Sequence, residues 1–181
     1  MTNDELLALG TQGYFIRDGF LGPRAGEAAE FAVRLQETMN PAGMVGGKRD
    51  TSIRGDLTCW LDDSPMHPAF TQLMQELNLG AWLGLRGYQV QLACYPGGGA
   101  RYDRHVDAPP GHLLRRVTAI VYLNPGWKPE HGGQLRLYVD PLKDVDPVLD
   151  RLVVFLSEKV PHEVLPSFAP RYAATAWFRA V

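Results

Sequence analysis

His105 and Asp107 stand two positions apart at the end of the run Tyr95-Pro-Gly-Gly-Gly-Ala-Arg-Tyr-Asp-Arg-His105-Val-Asp107. On an extended strand the side chains alternate faces, so this spacing turns both groups the same way. A third candidate, His162, lies in Val-Pro-His-Glu-Val, far enough downstream for several strands to intervene. Two imidazoles and one carboxylate form the donor set that covers one face of an Fe(II) ion and leaves the other face open. Further on, Arg171 opens the run Arg-Tyr-Ala-Ala-Thr-Ala-Trp-Phe. Read as a strand, it puts Arg171, Ala173, Thr175 and Trp177 on one face, so a guanidinium would point into the cavity that holds the metal. A buried guanidinium needs an anion, and a dicarboxylate co-substrate supplies one through a bidentate contact.

A lone His-x-Asp is weak evidence, and zinc accepts the same three donors with an open fourth position. Zinc hydrolysis, however, gives no task to an inward Arg171 or to an inward Tyr122. The remaining histidines, His67, His112 and His131, sit beside helix starts or in loops and read as solvated. Lys48 and Arg49 read as a solvated pair in a glycine-rich loop. The tripeptide Arg54-Gly55-Asp56 carries no adhesion role in an intracellular chain.

Elements that could position these groups follow in order. Residues 3–9 read as a short helix capped by Asn3 or Asp4 and ended by Gly10. A strand is expected at 14–16, then a helix over 23–39 with Pro23 near its start and Ala28, Phe31, Ala32, Leu35 and Met39 on one face. The stretch 40–52 is polar, rich in glycine and without periodicity, a loop that could serve as a lid. A further helix spans 68–79, with Leu79, Trp82 and Leu83 extending it beyond Gly80. Strands are expected at 87–95, 101–107, 115–123, 133–139, 152–157, 162–166 and 171–179. Helices followed by about seven close-spaced strands predict a mainly β fold, a sandwich or barrel with the N-terminal helices packed on one sheet.

With 181 residues the chain is read as one domain, 1–86 giving helical support and a substrate loop and 87–181 the barrel core. Its 18 basic and 20 acidic residues nearly balance, which argues against a nucleic-acid surface. Two cysteines, Cys59 and Cys94, an N-terminus unlike a signal peptide and no membrane-length apolar run place it in a cytoplasm.

Seven ordered blocks carry a family resemblance. They are Ile53-Arg-Gly-Asp-x-x-x-Trp60, Ala93-Cys-Tyr-Pro-Gly-x-Gly-x-x-Tyr102-x-Arg-His-Val-Asp107, Val117-Thr-x-Ile-x-Tyr-Leu-Asn124, Gly132-Gly-x-Leu-Arg136, Asp150-Arg-Leu-x-x-Phe155, Pro161-His-Glu-Val-x-Pro166 and Arg171-Tyr-Ala-x-Thr-x-Trp177. In these the chain resembles the 2-oxoglutarate- and Fe(II)-dependent prolyl hydroxylases of the oxygen-sensing type and their free-standing bacterial relatives. Collagen-type prolyl hydroxylases usually carry Lys where Arg171 stands.

The resemblance implies a double-stranded β-helix, the jelly-roll or cupin-like barrel, with His105, Asp107 and His162 as iron ligands. It implies that Arg171 and Tyr122 hold the distal carboxylate of 2-oxoglutarate. Tyr95, Ile120, Leu135, Val164, Thr175 and Trp177 match the lining of the co-substrate pocket, and Leu135 and Val164 read equally well as barrel packing. Asp56, Trp60 and Arg115 match the substrate groove, where Asp56 and Arg115 could form a charge pair. Departures are a shorter loop before Ile53, one residue inserted between Asp107 and Val117, Gln91 at an apolar pocket position, and a chain that stops soon after Trp177. The implied reaction consumes O2 and 2-oxoglutarate, releases succinate and CO2, and hydroxylates a prolyl residue, trans-4, in a protein. Ascorbate would serve as reductant, and elongation factor Tu is the candidate substrate of a monomeric enzyme. The alternatives are the same chemistry on a free amino acid or small natural product, and a non-catalytic barrel that senses 2-oxoglutarate or metal.

Overall fold

The computed structural model describes residues 1–43, 50, 53–109 and 114–180. Most of the stretch expected as a lid loop, with Lys48, Arg49 and His112, lies outside the described residues. Three helices come first: α1 (Asn3–Thr11), α2 (Ala25–Leu35) and α3 (His67–Ala81). Among the described residues eleven strands accompany them: β1 (Tyr14–Asp18), β2 (Asn40–Pro41), β3 (Leu57–Leu61), β4 (Gly87–Tyr95), β5 (Ala100–His105), β6 (Arg115–Tyr122), β7 (Leu135–Leu137), β8 (Lys143–Val145), β9 (Arg151–Leu156), β10 (His162–Ser167) and β11 (Arg171–Arg179). They form a larger sheet ordered β1-β9-β6-β11-β4-β3-β2 and a smaller one ordered β5-β10-β7-β8.

Period-two alternation divides the apolar residues between two cores. On β11, Tyr172, Ala174, Ala176 and Phe178 face the helices and join Leu73, Leu77 and Phe70 of α3 in one buried cluster. Their neighbours Arg171, Ala173, Thr175 and Trp177 face the space between the sheets. The same division holds on β6, where Val117, Ala119 and Val121 pack outward while Ile120 and Tyr122 join Phe155, Leu135 and Leu137 inside the barrel. The helices therefore stiffen the wall that carries the inward polar groups. At Gly80 a side chain would meet Leu6 of α1 at 2.7 Å, so the glycine lets α1 approach α3.

The expected architecture, mainly β with N-terminal helices and two facing sheets, is the one observed. Several boundaries differ. Thr2, not Asn3 or Asp4, caps α1 through a reciprocal box with Glu5, and the helix runs through Gly10 to Thr11. The 23–39 helix is α-helical only over Ala25–Leu35, with 3-10 turns at Gly22–Arg24 and Gln36–Thr38. Trp82 ends α3 in the left-handed region at φ 55° and, like Leu79, remains exposed instead of extending the apolar face. β2, β3 and β8 were not expected. They are short and half-exposed, so they lack the alternating pattern that marks a longer strand.

Buried Asn124, just past β6, holds the start of β11. Its side-chain amide donates to the carbonyls of Pro147 and Tyr172, and its carbonyl accepts from the Tyr172 backbone N–H. Truncation would strand buried backbone groups at the residue beside Arg171. Asn124→Leu is expected to lower unfolding stability by about 2–3 kcal/mol, measured by urea denaturation. A change below about 0.5 kcal/mol, the size usual for a surface position, would remove the clamp from the account.

Candidate active site

β5 and β10 run antiparallel with His105 and His162 as register partners, and this pairing brings together residues far apart in sequence. The two rings lie 4.3 Å apart between centroids. The Nδ1 of His105 faces the Asp103 carbonyl at 2.8 Å, and the Nδ1 of His162 faces that of Val160 at 3.0 Å. A carbonyl only accepts, so each Nδ1 carries the proton and each Nε2 keeps its lone pair. Both Nε2 atoms face one oxygen of Asp107: Oδ1 is 3.5 Å from His105 and 3.7 Å from His162. The three donor atoms all lie within 4.8 Å of one another.

Asp107 falls past the end of β5, in a bend, so strand alternation alone does not orient it. Hydrogen bonds to its other oxygen do. Oδ2 accepts from Trp177 Nε1 at 2.9 Å and from Thr118 Oγ1 at 2.8 Å. With its own proton given to Asp107, Thr118 Oγ1 can accept from Ser157 Oγ, 2.9 Å away. Burial by itself would raise the Asp107 carboxyl. The adjacent imidazoles and the Trp177 N–H outweigh burial and hold it far below the usual carboxylate range. Burial lowers His162, more than the Asp107 charge raises it, which favours the neutral imidazole a metal requires. Tyr102 stacks on His105 at 3.8 Å and Phe155 packs against His162 at 4.6 Å, fixing both ring planes.

Between this cluster and the barrel floor lies a cavity of about 290 Å³. Arg171, 3% exposed, stands at its base. Its Nε donates to the Gly133 carbonyl at 2.7 Å, and its guanidinium lies 4.9 Å from the Tyr95 ring and 5.1 Å from that of Tyr122. A side chain at Gly133 would meet Arg171 Cδ at 2.8 Å, and φ there is +75°, so glycine is required for this approach. No carboxylate pairs with Arg171 among the described residues. The Tyr122 hydroxyl is fully buried and has no hydrogen-bond partner among them. Burial pushes its pKa up to about 12, so it stays a donor. Tyr122 packs against Arg171 and is not itself part of the cavity lining. A buried guanidinium without a carboxylate among the described residues fits an anion, and the His-His-Asp donors fit a divalent metal.

The cavity lining brings together Tyr95, Ile120, Leu135, Val164, Thr175 and Trp177 with the three donors and Arg171. Asp56, Trp60 and Arg115 also line it. The expected Asp56–Arg115 pair does not form. Both Asp56 oxygens are taken by Arg54, at 2.8 and 2.6 Å, because only Gly55 separates the two residues. Arg115 instead lies over the Trp177 ring at 4.1 Å. The Arg54-Gly55-Asp56 tripeptide is thus an internal ion pair, with Arg54 stacked 4.2 Å from Tyr102. His67 and His131 lie outside the donor cluster. His67 Nδ1 bonds Ser64 Oγ, and His131 Nδ1 accepts from the Lys128 N–H.

Sequence reasoning missed the orienting roles of Thr118, Ser157, Arg54 and Tyr102. For Thr118 a signal existed, since it alternates with Ile120 and Tyr122 on β6. For Ser157 and Arg54 none did, because their partners are set by the packing of distant segments.

Comparison with known proteins agrees with this geometry. The profile of the 2OG-Fe(II) oxygenase superfamily matches residues 90–179. The chain is 33% identical over 187 residues to the prolyl hydroxylase EGLN3 of Homo sapiens, covering 92% of this chain and 78% of that protein. The crystal structure of a Pseudomonas putida prolyl-4-hydroxylase superposes with a TM-score of 0.88 at 36% identity, covering 98% of both chains. A Trichoplax adhaerens prolyl hydroxylase, solved with a hypoxia inducible factor oxygen degradation domain peptide, superposes at 0.90 with 32% identity, covering 98% of this chain and 88% of that one. Both support the double-stranded β-helix as the fold. The chain therefore belongs to the 2OG-Fe(II) oxygenase superfamily, as an enzyme of the prolyl hydroxylase type.

Proposed function

We propose that this chain, as one catalytic domain over residues 1–181, hydroxylates a prolyl residue at the trans-4 position in a protein, with elongation factor Tu as substrate. We assign His105, Asp107 and His162 as the Fe(II) ligands, and Arg171 with Tyr122 as the seat of the distal carboxylate of 2-oxoglutarate. The observation that carries the reading is the pairing in one cavity of a three-donor cluster with a buried guanidinium that has no carboxylate partner among the described residues. When bound, Fe(II) and 2-oxoglutarate supply the activation of O2 that hydroxylates an unactivated C–H bond, with release of succinate and CO2.

The chain's own part is orientation. Trp177 and Thr118 direct Asp107 Oδ1 toward the two Nε2 atoms. Arg171 and Tyr122 receive the carboxylate away from water, which strengthens a charge-assisted contact. Tyr95, Ile120, Leu135, Val164 and Thr175 bound the co-substrate, and Asp56, Trp60 and Arg115 bound the acceptor. Ascorbate would restore enzyme oxidised in unproductive turnovers. A cytoplasmic monomer is consistent with free Cys59 and Cys94. Among the described residues no helix is long and apolar enough to cross a membrane.

Arg171→Leu should weaken 2-oxoglutarate binding about 100-fold while leaving metal affinity near wild type, as read by isothermal titration. An unchanged co-substrate affinity would sink the assignment of Arg171. Trp177→Phe keeps the ring but loses the N–H to Asp107, and should weaken Fe(II) binding about 10-fold with the fold intact by circular dichroism. The substrate is tested by mass spectrometry of elongation factor Tu incubated with the protein, Fe(II), 2-oxoglutarate and ascorbate, beside a His105→Ala control. The expected result is one added oxygen on a proline, absent in the control. Succinate formed without that oxygen would keep the oxygenase and exclude elongation factor Tu.

A further inference from the structure

A second, smaller cleft of about 270 Å³ adjoins the mouth of the active-site cavity. Trp60 of β3 lines both hollows and is 54% exposed. In the cavity its register partner is Gln91 on β4, which in turn pairs with Thr175 on β11. Two residues back along β4 comes Gln89, which lines the cleft and is the register partner of Trp177. Asp62, directly after β3, lines the cleft as well. The amides of Gln91 and Gln89 and the Asp62 carboxylate make no side-chain hydrogen bond or ion pair among the described residues.

Three unpartnered polar groups thus mark a track that leaves the cavity, passes Trp60 and ends in the cleft. Gln91 and Gln89, two apart on one strand, repeat at roughly 6.8 Å, the spacing at which an extended chain presents its backbone amides to one side. A glutamine side chain offers one acceptor and two donors, so it can bond a peptide group of any sequence. A small molecule held in the cavity would have no use for Gln89 or Asp62.

We infer that this track seats the acceptor polypeptide beside its target residue, in extended form, and that Asp62 favours a basic side chain at its outer end. The inference rests on the proposed protein-hydroxylase reading and adds where the acceptor lies and which flanking chemistry it carries.

The test uses the full chain loaded with Zn(II) and 2-oxoglutarate, which binds without turnover, and fluorescein-labelled alanine-rich decapeptides with a central proline. The peptides carry Lys or Glu two to four residues to either side. Anisotropy should show a Lys preference over Glu on one side of about 3- to 5-fold, the scale of a rim charge pair. Asp62→Lys should invert that preference. Gln91→Met and Gln89→Met should each weaken all peptides about 5-fold, as expected for one lost hydrogen bond, and Gln89→Met, outside the active-site cavity, should leave 2-oxoglutarate affinity unchanged. No binding by wild type, no side preference, or peptide affinities untouched by all three substitutions would overturn the track. Turnover with Fe(II) separates the two claims. Peptides ordered as expected but never hydroxylated would leave the track standing and defeat the prolyl-hydroxylase reading. Hydroxylation insensitive to Asp62, Gln89 and Gln91 would do the reverse.

Discussion

The organisation of the site depends on the division of labour between the two oxygens of Asp107. Oδ2 is occupied by Trp177 and Thr118, and this leaves Oδ1 to face both imidazoles. Those three side chains come from β11, β6 and the bend after β5, so both sheets must be assembled before the carboxylate is oriented. A carboxylate on a bend with neither donor would be free to rotate or to pair with a nearby cation such as Arg115. The Trp177 ring, whose N–H bonds Asp107, gives that cation a different contact.

Arg171 is the opposite case, a charge kept in place without a counter-ion among the described residues. Gly133 gives it a carbonyl and the room to lie there, Tyr95 and Tyr122 cover its faces, and Asn124 holds the strand start beside it. Burying a guanidinium in this way is costly unless an anion arrives, so the apo cavity is strongly selective for one. The two imidazoles are carried by β5 and β10 of the smaller sheet, and Arg171 by β11 of the larger one. The helix-facing residues of β11, β4 and β6 make the larger sheet stiff, because the same strands are buried on their outer face by α2 and α3. Precise placement of an inward polar group is bought by apolar packing behind it.

The mouth of the cavity follows different physics. Arg54 and Asp56 satisfy one another, and Trp60 of β3, Gln89 of β4 and Asp62, just past β3, lie toward solvent. Such groups gain little from the fold itself and remain available to a partner. Tyr122 and Arg171 contrast with them, being enclosed by the barrel.

Much of this was legible along the chain. His105, Asp107, His162 and Arg171 could be named as candidates because metal ligation and carboxylate binding demand those residue types, and the structure brings all four to one cavity. The long strands β4, β6, β9 and β11 announced themselves by alternation, since a wall buried on one side by helices and on the other by a cavity constrains every position. What the chain alone determined was therefore residue chemistry and the face each side chain takes on its own strand. Only the tertiary structure decided which partner each group meets. Asp56 turned to Arg54 and not Arg115, Thr118 and Ser157 became supports of Asp107, and Trp177 gave its N–H to Asp107. Hydrogen bonds and ion pairs are short-ranged and directional, so a difference of one or two ångströms between packed strands selects among partners that sequence spacing leaves equivalent.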